Sequence, residues 1–318
     1  MAISMEPFQK KYWPQVCTLV GEMFHYPENY DYTDNYKQMF SYDWNYDIDI
    51  KQFPYKYGML IFDDDKVVGF LGAYYSKRRL YFEDSCEYEE VVYMNCTRYA
   101  IEKKYRIMLY SAIKKLMDGV DIVTDFSASE SMYEVFIKAL KFKEYSSCEM
   151  RFYPVPWNIK DGTTVREIYD DLEGELKILY KDHKKYGVRV FRVQENEEVG
   201  YVFWEKKISK KSRSEYVRVL RVDNKDLFSR NIWKIMWEMQ KSCFANSESV
   251  CEVGKELFEK INNHQLYMAE CDGFFLNESL LNHPLYMKWP THKLFLKTRD
   301  DIKCEPDLDL LYSELVIK

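Results

Sequence analysis

The chain has 318 residues, more than one domain usually contains, and this length predicts two domains. Hydrophobic residues make up 47% and charged residues 31% of the sequence, so the chain can form a sizeable core and is not intrinsically disordered. Only 11 glycines and 9 prolines are present, which excludes collagenous, low-complexity and linker-dominated architectures.

The 46 basic residues are outnumbered by 52 acidic ones, the net charge is −6, and neither half of the chain is basic. This balance argues against a nucleic-acid partner and against binding to anionic membranes. No apolar run reaches the ~18 residues that a membrane-spanning helix needs. The segment 1–12 lacks the pattern of a signal peptide.

The eight cysteines are widely spaced, without a CxxC pair, and several lie in apolar stretches. In a chain without a secretory signal we interpret them as reduced thiols, and we expect a cytoplasmic protein. The five histidines lack the spacing of metal ligands, so we expect no metal site.

Hydrophobic periodicity predicts an α/β order in the first half of the chain. The first helix follows Pro14 and is marked by an apolar stripe: Val16, Leu19, Val20, Met23 and Phe24. A β-hairpin is predicted at 57–62 and 66–75, around the acidic turn 63–65. The elements predicted after it are a loop at 83–90, a strand at 91–99, a helix at 104–117, a strand at 121–126, a helix through 132–140 and a strand at 144–154.

The segment 154–162 contains two prolines and a glycine, and it predicts a boundary between domains 1–156 and 157–318. Beyond it, Thr164 and Glu167 form a capping-box pattern that predicts a helix running to Leu179. A second hairpin at 187–193 and 199–208, a strand at 216–222 and a helix capped by Asp226 follow. The order of the first half thus recurs, which we interpret as a duplicated fold plan without a sequence repeat.

Three pieces of the first half match one enzyme family in order and spacing. Lys66–Ala73 (KVVGFLGA) looks like that family's third strand, and strand 91–99 leading into 102–116 is similar to its cofactor-binding strand, loop and helix. Ala139–Glu144 (ALKFKE) looks like its closing helix and strand. On these residues, segment 57–153 resembles the GNAT (GCN5-related N-acetyltransferase) family. The resemblance implies an α/β (α+β) fold, a mixed twisted sheet flanked by helices, with a second, degenerate GNAT-like domain.

The resemblance implies acetyl-CoA as a cosubstrate, with its pyrophosphate at the start of the helix near residue 104. Unpaired N–H groups and the positive end of the dipole suit an anion there. The family's loop usually contains two small residues, whereas this chain has Ile107 and Leu109 in those positions. The cofactor-binding residues implied in this way are Thr97, Tyr99, Lys104, Tyr105, Arg106, Ile107, Met108 and Leu109.

The family often uses a tyrosine to protonate the leaving thiolate. The position that matches is Ile137, and Tyr133, one helical turn earlier, is the nearest substitute. Asn95 shares a strand face with Thr97 and could line a reaction cleft. We therefore name Tyr133 and Asn95 as catalytic candidates. The alternative is a packing role for the tyrosine and a buried polar role for the asparagine.

Residues 28–49 alternate acidic and aromatic side chains, a combination that suits a cationic amine or a sugar. The same pattern fits a packed, tyrosine-rich segment between domains, and both interpretations stay open.

The function implied is transfer of an acyl group from acetyl-CoA to an amine or hydroxyl of a small-molecule or peptide acceptor, by direct attack in a ternary complex. Backbone N–H groups of Thr97 or Tyr99 would polarise the thioester carbonyl. The alternative is a non-catalytic protein that uses the same fold to bind a sugar, a peptide or a protein. An open gap between strands 91–99 and 121–126 would favour the enzyme, and a gap filled by side chains would favour the binding protein. No pattern in the sequence indicates the oligomeric state.

Overall fold

The computed structural model describes residues 2–25, 48–82, 85–152, 162–208, 215–241, 268–277, 280, 287–303 and 308–313. The chain divides into two units, Met1–Tyr145 with His292–Lys318, and Ser146–Thr291. Each unit has a mixed sheet flanked by helices, as the sequence predicts. In the part of the chain just defined, no helix is both long and apolar enough to cross a membrane.

The order strand, helix, hairpin, strand, helix and strand occurs twice along the described residues, and a further helix and strand lie between the two copies. In chain order they are β1 Ile3–Pro7, α1 Trp13–Phe24, β2 Met59–Asp63, β3 Lys66–Phe82, β4 Glu87–Ile101, a 3-10 helix Lys103–Met108, α2 Leu109–Leu116, β5 Ile122–Asp125, α3 Glu130–Glu134 with a π-helical continuation Val135–Ala139, β6 Lys143–Phe152, β7 Thr163–Ile168, α4 Gly174–His183, β8 Val188–Glu195, β9 Glu198–Ile208, β10 Glu215–Val222, α5 Lys225–Arg230, α6 Ile232–Lys241, β11 Met268–Asp272 and β12 Met287–Lys297. Short 3-10 helices lie at Lys10–Tyr12, Lys184–Tyr186 and Gly273–Phe275.

The first unit orders its strands β1-β2-β3-β4-β5-β12. Only the β4–β5 pair is parallel, and the other described pairs are antiparallel. β12 joins this sheet because Leu294–Lys297 pair with Asp125–Ile122. The chain from His292 therefore belongs to the first unit, whereas the sequence predicted a single division at residue 156.

One apolar cluster joins the sheet of the first unit to α2 and α3. Met94 and Cys96 of β4 are fully buried against Ile113 of α2 and Phe136 beside α3. Ile113 and Phe136 belong to the apolar stripes from which the helices at 104–117 and 132–140 were predicted. Burying such side chains stabilises the fold by about 1.5–3 kcal/mol each. The cluster fixes the two helices that border the site described below.

A buried ion pair attaches the C-terminal residues to the opposite sheet face. The Arg78 guanidinium donates to both carboxylate oxygens of Asp309, at 3.2 and 2.6 Å. The rings of Tyr93 and Tyr312 lie 5.1 and 5.4 Å from the guanidinium carbon. The side chains are only 7% and 0% exposed, so neither charge has water as an alternative partner.

Replacing Asp309 tests this ion pair. Asp309→Asn leaves a buried cation without its counter-charge, and we expect it to lower the free energy of unfolding by about 3 kcal/mol. The matched control is Asp301→Asn, which breaks the exposed pair with Arg299 and should have a much smaller effect. Urea unfolding of both variants measures the difference, and equal losses would contradict the assignment.

The second unit repeats the plan, with strand order β6-β11-β10-β9-β8-β7 and one parallel pair, β10–β11. Two predictions were wrong here. Residues 163–168 form β7 and not a capped helix, because their backbone pairs with β8 and their side chains alternate in burial along the strand. The cap of α5 is Asn224, whose side chain accepts from the Leu227 N–H, and not Asp226. The loop predicted at 83–90 in the first unit was also too long, since β4 begins at Glu87.

Charged side chains line one face of the second sheet. Glu205 on β9 is 1% exposed and lies opposite Arg218 on β10, with the Lys207 ammonium 3.2 Å from its carboxylate. Arg218 also pairs with Glu270 at 2.9 Å. Burial is the largest influence on Glu205 and raises its pKa to about 7, against the lowering effect of Lys207 and Arg218.

The pH dependence of stability tests this environment. The folded pKa of Glu205 exceeds its unfolded value of 4.5, so folding takes up a proton between pH 4.5 and 7, and stability falls as pH rises through that window. Glu205→Gln should remove this fall, up to about 3 kcal/mol between pH 4.5 and 7. Thermal unfolding across that range measures it, with the exposed Glu197→Gln as control. An unchanged pH profile would contradict the prediction.

Candidate functional site

The candidate site begins where β4 and β5 separate. The parallel pairing runs from Tyr93 with Ile122 to Cys96 with Asp125, and β5 ends there. β4 continues to Ile101 without β5 beside it. Beyond this last pair the two strands are no longer hydrogen-bonded neighbours, and we call the region between them the wedge.

A β-bulge in β4 lies immediately beyond the last pair. Leu71 pairs with Tyr99 and Ala73 with Cys96, so Gly72 faces the two residues between them, Thr97 and Arg98. A Cβ at Gly72 would lie 2.5 Å from the Thr97 methyl, a distance that side chains do not tolerate. Bulges increase the local twist and bend of a strand. Glycine at this position therefore permits the bend with which β4 leaves β5.

A cavity of about 380 Å³, a volume in the range of small-molecule and cofactor sites, lies beside the part of β4 that follows its last pair with β5. Tyr99 and Ile101 of β4 form one wall, and α3 contributes Met132 and Val135. The helical turn after β4 contributes Arg106 and Leu109. The walls are thus mostly apolar, with polar groups at separate points.

Arg106 supplies the positive charge of this cavity. It is exposed, and within the described ranges no carboxylate pairs with it. Across the cavity, at the start of α3, stand Ser129 and Ser131, whose hydroxyls lie 3.1 Å apart. A cation, two hydroxyls and an apolar floor suit a ligand with an anionic end and an apolar or amphipathic tail.

The structure separates the residues predicted for the cofactor loop. Arg106 and Leu109 line the cavity, whereas the Lys104 ammonium lies 3.6 Å from Asp63 and the buried Tyr105 donates its hydroxyl to the same carboxylate. The hydrogen bond from Tyr105 is the main cause that lowers the pKa of Asp63. Ile107 is 87% exposed, and Met108 packs on the apolar core. Ile107 stands at the first of the two positions where the family has a small residue, and its side chain therefore does not fill the cavity.

The predicted site residues on β4 also lie in different environments. The Tyr99 side chain lines the cavity, and Thr97 lies in the bulge against Gly72. Asn95 faces the other side of the sheet and donates to the Thr124 hydroxyl at 2.9 Å. It lines a separate space of about 10 Å³, the size of one water molecule, beside Arg78. Asn95 is thus not brought together with the loop residues.

Tyr133 stands apart from the cavity. Its hydroxyl donates to the Glu144 carboxylate at 2.9 Å, an interaction that raises its pKa. The cavity is lined instead by its neighbours Met132 and Val135, which helical periodicity had assigned to the core. Residues 28–47, most of the predicted acceptor segment, lie outside the described residues.

Seven residues that line the cavity were not among the predicted site residues: Met23, Phe24, Ile101, Ser129, Ser131, Met132 and Val135. A serine pair before a helix is an ordinary capping pattern, so it carried no separate signal.

No group of His, Cys, Asp and Glu side chains in the described ranges could hold a metal ion.

Comparisons with solved structures identify the fold. A GCN5-related N-acetyltransferase from Anabaena variabilis superposes with a TM-score of 0.53 over 94% of this chain and 73% of its own, at 8% identity. A glucosamine N-acetyltransferase region of a fungal multi-domain GH3 β-N-acetylglucosaminidase gives 0.53 over 92% of this chain and 38% of its own, at 11% identity. The chain has the GNAT fold, in a divergent form. No protein-family model matches the sequence, and a search of curated proteins found no match.

The contact at the bulge can be tested by mutation. Gly72→Ala should lower the free energy of unfolding by about 1–3 kcal/mol, because the new methyl meets the Thr97 methyl. Adding Thr97→Ser removes that methyl and should restore part of the loss. The control is Gly21→Ala in α1, where a Cβ meets nothing within 4 Å and the change should stabilise. A double variant no more stable than Gly72→Ala would contradict the steric explanation.

Proposed function

We propose that the protein binds an acyl-CoA, acetyl-CoA in the first instance, in the wedge between β4 and β5, and transfers the acyl group to an amine or hydroxyl acceptor. The mostly apolar cavity beside the end of β4, with Arg106 on its wall, is the observation that carries the proposal. The pantetheine arm would follow the wall formed by Tyr99 and Ile101, and the pyrophosphate would lie against Arg106. The acceptor is a small molecule or a peptide.

Several further observations support this assignment. Of the two bulky residues in the family's small-residue positions, Ile107 is exposed to solvent, and Leu109 lines a cavity that still measures about 380 Å³. The two solved structures named above, each with a TM-score of 0.53, carry N-acetyltransferase in their names. The mechanism would be direct attack on the thioester, with bulge N–H groups at Thr97 or Tyr99 polarising its carbonyl.

The proposal also includes the cellular compartment of the protein. The eight cysteines are widely spaced along the sequence and contain no CxxC pair, a pattern that fits reduced thiols of a cytoplasmic protein. We therefore propose a cytoplasmic acyltransferase.

Calorimetric titration with acetyl-CoA, and separately with free CoA, tests the first step. Micromolar binding of both ligands is expected, and release of CoA with a panel of amines, peptides and amino sugars then tests transfer. Absence of heat and of thermal stabilisation at millimolar ligand would overturn the proposal in favour of a GNAT-fold binding protein. Binding of both ligands without any transfer would favour the same alternative.

Arg106 and Lys104 form a matched pair for locating the pyrophosphate. Arg106→Ala should weaken CoA binding about tenfold, since a charge-assisted contact of that size is about 1.4 kcal/mol. Lys104→Ala should change it less than about twofold, because the Lys104 ammonium is directed to Asp63. Titration calorimetry on both variants measures this, and a larger loss for Lys104→Ala would place the phosphates elsewhere.

A further inference from the structure

The helical segment after β4 carries an exposed surface that the proposed function does not use. Residues 103–117 contain five basic and no acidic side chains, in a chain whose net charge is −6. Ile107 is 87% exposed and Tyr110 is 42% exposed, so both place apolar surface in water. With the exposed Lys114 they follow the i, i+3, i+7 spacing of one helix face. We call these three side chains the α2 patch.

The α2 patch lies next to the cavity. Arg106 and Leu109, which line the cavity, are the immediate sequence neighbours of Ile107 and Tyr110. Arg106 is also exposed, so a single side chain reaches both the cavity and the solvent. A molecule bound on the patch would therefore lie beside the anionic end of the ligand that Arg106 holds.

The composition of this surface is that of a contact for an acidic partner. The Lys114 ammonium lies 4.7 Å from the centre of the Tyr110 ring, and Lys103 is exposed in the preceding 3-10 helix. The nearest acidic residue before the segment, Glu102, is 2.5 Å from the Lys66 ammonium and is thus already paired. Apolar side chains among cations suit a partner with an apolar centre among carboxylates.

The charge at the cavity indicates how many phosphates the donor brings there. Arg106 is the one cation among the described residues that line the cavity. Coenzyme A has a diphosphate and a 3′-phosphate, whereas a phosphopantetheine arm attached to a protein has a single phosphodiester. One guanidinium matches one phosphodiester. Bulky Ile107 and Leu109 are compatible with such a donor, because it has no diphosphate that needs close contact with the backbone.

We propose that the α2 patch binds an acidic carrier protein that delivers the acyl group on a phosphopantetheine arm. The arm enters the cavity past Arg106, the carboxylates of the carrier face Lys103 and Lys114, and its apolar surface covers Ile107. This inference rests on the proposed function and names the source of the acyl thioester.

The transfer step balances with the carrier as donor. The acceptor nitrogen or oxygen attacks the thioester carbonyl carbon and forms the new C–N or C–O bond. The C–S bond breaks and its electron pair goes to sulfur. The proton lost by the acceptor passes to that sulfur, and the arm leaves as a thiol on the carrier.

An anionic membrane is the other partner that cations attract. The net charge of −6 opposes the approach of this chain to such a surface. A carrier with an arm, in contrast, uses the patch and the cavity together.

The experiment titrates the full chain with three acetyl donors: the acyl carrier protein of a bacterial fatty acid synthase, acetyl-phosphopantetheine and acetyl-CoA. Calorimetry should show that the acetylated carrier binds at least about tenfold more tightly than acetyl-phosphopantetheine, because docking of the carrier raises the effective concentration of its arm. Higher salt should weaken binding of the carrier, since the patch acts through exposed charges.

Charge reversal locates the contact. Lys114→Glu should weaken binding of the carrier about tenfold and leave that of acetyl-phosphopantetheine unchanged, because Lys114 does not line the cavity. Ile107→Glu should weaken binding of the carrier at least as much. The matched controls are Lys177→Glu and Ile178→Glu on α4 of the second unit, where both side chains are exposed, and neither should change the affinity.

The outcomes separate this inference from the proposed function. A carrier that binds no more tightly than acetyl-phosphopantetheine, while acetyl-CoA binds and is used, overturns the docking and leaves the proposed function standing. An equal loss of acetyl-CoA and carrier affinity in Lys114→Glu overturns it as well, because the patch then holds the nucleotide of CoA. Binding to phosphatidylglycerol vesicles that Ile107→Glu abolishes, without binding of the carrier, assigns the patch to a membrane and overturns it. If none of the three donors binds, both proposals fall.

Discussion

The separation of β4 from β5 is the constraint on which the candidate site depends. Two parallel strands that paired along their whole length would leave no room for a ligand between them. Here the pairing stops at Cys96 and Asp125, and the bulge opposite Gly72 bends β4 away. The apolar cluster beneath keeps α2 and α3 in place on either side. The cavity is therefore a consequence of strand geometry more than of any single binding residue.

This geometry explains how a loop without glycine is compatible with the fold. A bulky side chain blocks an anion only when it points toward it, and Ile107 points to solvent, whereas Leu109 lines the cavity. The tight 3-10 turn over Lys103–Met108 directs Arg106 to the cavity, Lys104 to Asp63 and Tyr105 into the core. In the proposed acyl-CoA site, charge from Arg106, together with the serine hydroxyls of the cavity, would take the place that close backbone approach has in a glycine loop.

The two units share a strand arrangement but differ in the polar residues at corresponding positions of their parallel strand pairs. In the first sheet, Asn95 lies opposite Thr124 across the parallel pair. In the second sheet, Arg218 and Glu270 occupy the corresponding register. Neutral amide and hydroxyl groups are replaced there by buried charges, which need mutual pairing because water does not reach them. The duplicated plan is thus preserved in topology while its polar positions have diverged.

The sequence by itself determined most of the local structure: the first helix, both hairpins, and the strands around Asn95 and Val123 all lie where periodicity placed them. Side-chain alternation and helical spacing are local properties, so they can be seen without the fold. The return of the chain to the first unit at His292 was not predictable, because pairing between β12 and β5 depends on residues far apart in sequence. The place of Tyr133 was not predictable either. Its hydroxyl donates to Glu144, a contact between α3 and β6 that exists only once the helix and the strand have packed.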